Sequence, residues 1–195
     1  MSAPRLEGRT AVVIGSSRGI GRSIAEAYAA EGATVVCVAR DVDALGEVVA
    51  SIEQDGGVAV AQRCDVTSDS DVAALRQFVR DAYGAATVLV NSAGMHKAAR
   101  FLDYEMDDFR QLMELNFFAT VRTIRTFLPD MIEAGYGKIV NVASTAGKYG
   151  SLFQSPYNSS KHAVVGLTRC LALETAKQGV TVNAICPGFV ETDMM

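Results

Sequence analysis

Thr10-Ala-Val-Val-Ile-Gly-Ser-Ser-Arg-Gly-Ile-Gly-Arg-Ser-Ile-Ala-Glu-Ala-Tyr28 runs from an apolar, β-branched stretch through a glycine-rich turn into a segment of helical period. A strand, a glycine turn and a helix in that order make the first part of a βαβ unit. Gly15, Gly19 and Gly21 allow backbone angles and close approaches that a Cβ would obstruct. The helix start that follows offers free N–H groups and the positive end of a dipole to a phosphate. The spacing is Gly-x-x-x-Gly-x-Gly and not the commoner Gly-x-Gly-x-x-Gly. A glycine turn by itself is also a good tight connection with no ligand, so the remainder of the chain has to decide between the two readings.

Working outward, the same alternation repeats. Strands are expected at Thr10–Ile14, Thr34–Ala39, Val58–Arg63, Thr87–Asn91, Lys138–Ala143 and Val180–Cys186. Helices are expected at Gly19–Glu31, Val42–Gln54, Ser70–Tyr83, Met106–Ala134 and Pro156–Lys177. Right-handed crossovers then give an α/β fold, a doubly wound parallel sheet of order 3-2-1-4-5-6, within a single domain over residues 1–195. Ligands of such sheets sit outside the carboxyl edge, where the strand order switches.

The second strand ends in Val-Ala39-Arg40, where an NAD-selective site would carry an acidic residue for the ribose 2′-hydroxyl. Arg40, with Arg18 from the glycine turn, instead suits a 2′-phosphate, so NADP is the expected cofactor and NADPH is preferred over NADH. The alternative is a pair of solvated arginines, Arg40 being partly neutralised by Asp41.

Lys138-Ile-Val-Asn-Val-Ala-Ser144 reads as a strand ending in a hydroxyl, and Ser155-Pro-Tyr-Asn-Ser-Ser-Lys161 as a helix start with Ser155 as N-cap and Pro156 as its first residue. Tyr157 falls in the first turn and Lys161 four residues on, on the same face. Both the dipole and the ammonium favour phenolate. Moving a tyrosine from its usual ~10 toward neutrality takes about 4 kcal/mol, at 1.36 kcal/mol per pH unit. A ketone accepting hydride needs a proton donor and a second hydrogen bond on its oxygen, roles suited to Tyr157 and Ser144. A Tyr-x-x-x-Lys pair alone is a frequent accident of helix surfaces; the glycine turn and Ser144 are what give it meaning.

Hydrophobic residues make up 49% and charged residues 21% of the chain, an ordinary globular balance. A net charge of −4 without basic runs argues against nucleic acid and anionic membranes as partners. No apolar stretch reaches the ~20 residues of a membrane span and the start lacks a signal sequence, so a cytoplasmic location is expected. Cys37, Cys64, Cys170 and Cys186 are widely spaced and read as reduced thiols mostly packed in the core. His96 and His162 are too few for a histidine metal cluster; no metal site is expected, and neither histidine is given a role.

Taken together these motifs closely resemble the short-chain dehydrogenase/reductase family along essentially the whole chain, which implies a Rossmann-type fold and an oxidoreductase. In the family's terms Gly15, Gly19 and Gly21, with Ser17, Arg18 and Ile20 between them, match the cofactor turn, and Asp65-Val66 the adenine contact. Asn91-Ser-Ala93-Gly94 matches the Asn-Asn-Ala-Gly turn, and Asn116 the asparagine that anchors a proton-relay water. Ser144, Tyr157 and Lys161 match the active-site triad, and Pro187, Gly188, Val190 and Thr192 the segment at the nicotinamide end. Ile14 and Ser92 depart from the family's usual Thr and Asn at positions that look structural.

Family members usually continue some fifty residues further, through a substrate lid and a seventh strand, both absent from these 195 residues. The resemblance therefore implies a longer native chain, heavier than 20.7 kDa by about 5 kDa at the ordinary ~110 Da per residue. The Pro187–Met194 segment and the arginines are most like β-ketoacyl-acyl-carrier-protein reductases, which implies a 3-oxoacyl thioester substrate, an acyl carrier protein as partner and a homodimer or homotetramer. Gly135 and Gln178 stand where those enzymes dock the carrier with arginines. A reductase or dehydrogenase of another small ketone or alcohol, and a non-catalytic dinucleotide-binding redox sensor, are the alternatives; retention of the Tyr/Lys pair favours an enzyme.

Overall fold

The protein is described here by a computed structural model covering residues 4–190. Six strands form one all-parallel sheet of order β3-β2-β1-β4-β5-β6: β1 (Thr10–Ile14), β2 (Thr34–Ala39), β3 (Val58–Arg63), β4 (Val88–Asn91), β5 (Gly137–Val142) and β6 (Val180–Ile185). This is the expected order. The strand order switches between β1 and β4, which run in register from Ala11↔Val88 to Ile14↔Asn91.

Side chains of a strand alternate between the two faces of a sheet, and β1 shows how the sequence uses this. Val12 and Ile14 join one core with Val36, Val38, Leu89, Ile139 and Val182, while Ala11 and Val13 join the opposite core with Val35, Cys37 and Val90. The strand is buried on both faces and therefore reads as an unbroken apolar run, as parallel strands do. The second core is covered by α1 (Gly19–Ala30) and α2 (Val42–Gln54), through Ala25, Ala29, Leu45, Val48 and Ile52. The first is covered by α3 (Asp69–Tyr83) and α5 (Ala119–Glu133), through Val72, Leu75, Val79, Ile124, Phe127 and Met131. Truncating a ring as buried as Phe127 to alanine costs about 3–5 kcal/mol.

Three local expectations are corrected. The single helix over Met106–Ala134 is in fact α4 (Met106–Met113), a π-helical turn (Glu114–Phe118) and α5. The extra residue of the π-turn accommodates Asn116, a buried polar side chain drawn inward by partners on other elements. Ser155 is not the cap of α6 (Ser155–Thr175): Gln154 occupies that position without a side-chain cap bond, and Pro156 is the second residue of the helix. Finally, only Cys37 and Cys64 are core thiols, each pushed up to about 11 by burial, whereas Cys170 is exposed and Cys186 half-buried. Among the described residues no helix is long and apolar enough to cross a membrane.

Candidate active site

At the carboxyl end of β1 the backbone leaves no room for side chains. Gly15 adopts φ +78°, and a Cβ there would stand 2.6 Å from the Ala93 nitrogen in the turn after β4. A Cβ on Gly21 would stand 2.1 Å from the Gly15 carbonyl oxygen. Two of the matched turns are thus pressed backbone to backbone across the switch in strand order. Ser16, not singled out by sequence reasoning, fixes the turn to β2. It is fully buried, its N–H and that of Gly15 both donate to the Val38 carbonyl, and its Oγ accepts from the Val38 N–H at 2.8 Å. Nothing in the sequence separates it from Ser17, which is only half-buried.

Arg18 is the N-cap residue of α1 but supplies no side-chain cap, and no acidic residue stands in the first turn. The N–H groups of Gly19, Ile20 and Gly21 therefore keep their free capacity, which fits the pyrophosphate of a dinucleotide. Arg18 and Arg40 are both exposed, and neither pairs with a carboxylate among the described residues. Asp41 is occupied in capping α2, where it accepts from the Ala44 N–H. Asp65 folds back to accept from Thr67 N–H and Oγ, which holds its carboxyl below the usual carboxylate range, with Arg40 a smaller influence. Val66, Asn91 and Ala93 come together with Ile14 and Leu115 around one gap too tight to admit a water molecule.

The second cluster lies where β4, β5 and α6 meet. Lys161 is buried, and its Nζ donates to the Val142 carbonyl at 2.8 Å. Removal from water lowers its pKa to about 8, with Cys186 a small opposing influence. An ammonium has three donors, so two are left for another acceptor. Nζ sits 5.8 Å from the centre of the Tyr157 ring and looks toward Gly94, where an added Cβ would be 3.6 Å from it. The Asn116 amide fills the other side of Gly94: Oδ1 accepts from Met95 N–H, and Nδ2 donates to the Met95 carbonyl and to Ser160 Oγ. Ser160, fully buried, donates onward to the Tyr157 carbonyl.

Ser144 is half-buried at the end of β5, and its Oγ accepts from the Ala146 N–H, which leaves the hydroxyl proton free to be donated elsewhere. The Pro187 carbonyl accepts from Thr145 N–H, so the Pro187–Gly188 segment is tied beside Ser144. Val190 is exposed; Thr192 lies outside the described residues. His96 proves to stack edge-on against Tyr157, with ring centres 4.9 Å apart. No spacing rule could have paired the two, because they come from different strand ends. Among the described residues no group of three or more His, Cys, Asp or Glu side chains is placed to hold a metal.

Residues 9–195 match the family model described as short chain dehydrogenase. The chain is similar to the ketoacyl reductase HetN of Nostoc sp., with 38% identity over 185 residues that cover 95% of this chain and 64% of that protein. It is also similar to the D-beta-hydroxybutyrate dehydrogenase of Rhizobium meliloti, with 36% identity over 191 residues covering 96% of this chain and 73% of the relative. Among solved structures, an actinorhodin polyketide ketoreductase crystallised with NADPH superposes at a TM-score of 0.93 with 39% identity, covering 95% of this chain and 72% of that one.

Proposed function

Because the chain belongs to the short-chain dehydrogenase/reductase family, we propose that it acts as an NADPH-dependent oxidoreductase that reduces a carbonyl group to an alcohol, with a 3-oxoacyl thioester as substrate. The observation that carries the reading is the buried Lys161, with a single protein acceptor, behind the Tyr157 ring. A charge so placed costs folding free energy unless something else uses it.

The bound nicotinamide would supply the hydride to the carbonyl carbon. The chain's own residues handle the oxygen. Tyr157 donates its phenolic proton there, and Ser144, whose Oγ already accepts from Ala146, donates a second hydrogen bond as negative charge develops. The Lys161 ammonium steadies the phenolate left behind, and its two remaining donors suit the hydroxyls of a ribose. Asn116 and Ser160 hold Met95 and the Tyr157 backbone, and so keep the two sides of the site at fixed separation. Tyr157 regains its proton from solvent; the carbonyl has gained one hydride on carbon and one proton on oxygen and become an alcohol.

Arg18 and Arg40, exposed and without carboxylate partners among the described residues, support NADPH over NADH. HetN, named a ketoacyl reductase, supports a ketoacyl substrate, and the actinorhodin polyketide ketoreductase, by its name, supports reduction of a ketone. An acyl carrier protein as the thioester's bearer and a homo-oligomeric assembly belong to the same reading. The test is NADPH oxidation with a 3-oxoacyl thioester and with a short diketone, alongside a titration of both cofactors. Turnover of the thioester with tighter binding of NADPH is the expected result; binding without turnover of either ketone would leave a cofactor sensor instead.

A further inference from the structure

Between the two walls that flank Tyr157 there is one buried tyrosine hydroxyl on which both depend. The first wall is the segment after β4, residues 95–104, whose His96 ring packs edge-on against Tyr157. The second is the loop of residues 149–154 that leads into α6. Tyr104 is buried, and its Oη lies 2.8 Å from the Lys97 carbonyl, 2.7 Å from the Phe153 carbonyl and 3.1 Å from the Ala99 N–H. A phenol has one proton. It therefore accepts from Ala99 and shares its single donor between carbonyls of two different segments, and the Ala99 N–H also reaches the Phe153 carbonyl at 3.0 Å.

The residue so gripped is the one non-glycine among the described residues with a left-handed backbone, Phe153 at φ +61°. Bulky side chains avoid that region, and the two hydrogen bonds on the Phe153 carbonyl are what hold it there. The near end of the loop is anchored separately, by Asn158 Nδ2 on the Tyr149 carbonyl at 2.7 Å. The far end is held by the Tyr104 hydroxyl together with the Ala99 N–H. Both walls present large apolar side chains to solvent: Phe101 and Leu102 on one, Leu152 and Phe153 on the other.

We infer that Tyr104 is a positioning residue that latches these two walls together and thereby sets which ketones reach Tyr157, favouring substrates with a bulky apolar substituent. The inference rests on the reading of the site as a ketone reductase. Tyr104 touches neither Tyr157 nor Lys161 through any of its hydrogen bonds; it acts through the backbones of Lys97, Ala99 and Phe153. Without its hydroxyl the two walls lose their shared partner and keep only the Ala99–Phe153 backbone bond between them, so the separation of the rings they carry loosens.

The experiment compares the full chain with Tyr104→Phe, Phe153→Gly and the double variant, using NADPH with a short diketone and with a bulky bicyclic ketone. Glycine accepts the left-handed backbone, so Phe153→Gly keeps the path of the loop and removes only the ring. Tyr104→Phe should lower kcat/KM for the bulky ketone roughly five- to tenfold, as one net hydrogen bond would, mainly through KM. The short diketone and the NADPH dissociation constant should change less than about twofold, a difference within ordinary surface effects. In the Phe153→Gly background the Tyr104→Phe loss should largely disappear, since the two act through one device.

Hydrogen exchange in residues 95–100 and 149–154 should accelerate in Tyr104→Phe while β1 and β4 stay protected. Equal losses for both ketones, or losses that simply multiply in the double variant, overturn the selectivity claim. Unchanged exchange in both segments overturns the latch. A wild-type chain that binds NADPH yet reduces neither ketone overturns the reductase reading and this selectivity with it, whereas the exchange result then still decides whether the latch exists.

Discussion

The β1–α1 turn and the first turn of α6 face the same edge of the sheet, yet the chain builds them by opposite means. At the glycine turn it withholds side chains, so that backbone meets backbone: Gly15 against Ala93, Gly21 against the Gly15 carbonyl. At α6 it crowds side chains in, with Lys161 buried against Val142, Tyr157 over it and Asn116 and Ser160 wedged beside. The first region offers shape and unpaired N–H groups, whose cost is small because solvent satisfies them until a ligand arrives. The second stores an unfavourable charge. A binding surface needs complementarity in the ground state, whereas a reactive one needs groups whose energies are displaced from those in water.

If that division holds, damage to α6 should appear in turnover and damage to the glycine turn in binding. The largest effect is expected for Tyr157→Phe, with kcat lowered on the order of 10² to 10⁴ as for a removed general acid, and the NADPH dissociation constant nearly unchanged. Stopped-flow turnover and a fluorescence titration on the same preparation check both halves. Full activity in the variant would assign the proton transfer elsewhere.

Lys161 sharpens the contrast through pH. Its pKa falls from 10.5 when unfolded to about 8 in the fold. Below pH 8 both states carry the proton and the burial penalty is complete; between 8 and 10.5 the unfolded chain binds more protons, so stability rises with pH; above 10.5 the penalty is gone. Without cofactor, Lys161→Met should therefore be more stable than wild type by up to about 3 kcal/mol at pH 7, an advantage that fades toward pH 10.5. Turnover should be lost at every pH. Denaturant melts across that range measure it, and a stability difference independent of pH would refute the account.

In the glycine turn, Gly21→Ala must displace the Gly15 carbonyl, at about 1–3 kcal/mol of folding stability for overpacking. NADPH binding should weaken more than turnover, as judged by kcat at saturating NADPH. A kcat loss at saturation as large as that of Tyr157→Phe would erase the distinction between the regions. The smallest effect belongs to Arg40→Ala, whose exposed guanidinium should contribute about tenfold in NADPH-over-NADH preference at low salt and less at high salt. Isothermal titrations at two ionic strengths read it directly.

The two regions were also unequally legible from sequence. The glycine turn could be read because its constraint is local: strand, glycines and helix follow one another, and the alternating cores made all six strands and their order recoverable. The residues that resisted are those whose roles are set by distant partners. Asn116 could be matched to a family position, but the π-turn that carries it leaves no breaker in the run from Met106 to Glu133, and even Pro129 is absorbed inside α5. Ser155 looked like a cap by type, yet the path of the preceding loop gives that position to Gln154. Ser16 and Tyr104 drew no attention and His96 was given no role, because a buried hydroxyl on β2, a shared carbonyl partner and a ring on Tyr157 are long-range facts.

The backbone-to-backbone contacts of the glycine turn have a further consequence for how the chain can change over generations. A Cβ on Gly137 would strike the Met131 side chain, whose Cβ lies 2.7 Å and Sδ 2.8 Å away, and Met131→Gly would remove both atoms. A Cβ on Gly15 or Gly21 strikes main-chain atoms, which every substitution leaves in place. Selection for second-site suppressors should return Met131→Gly among revertants of Gly137→Ala, and only true reversions of Gly21→Ala. The turn is thus a place where the lineage can lose function in one step and regain it only by retracing that step.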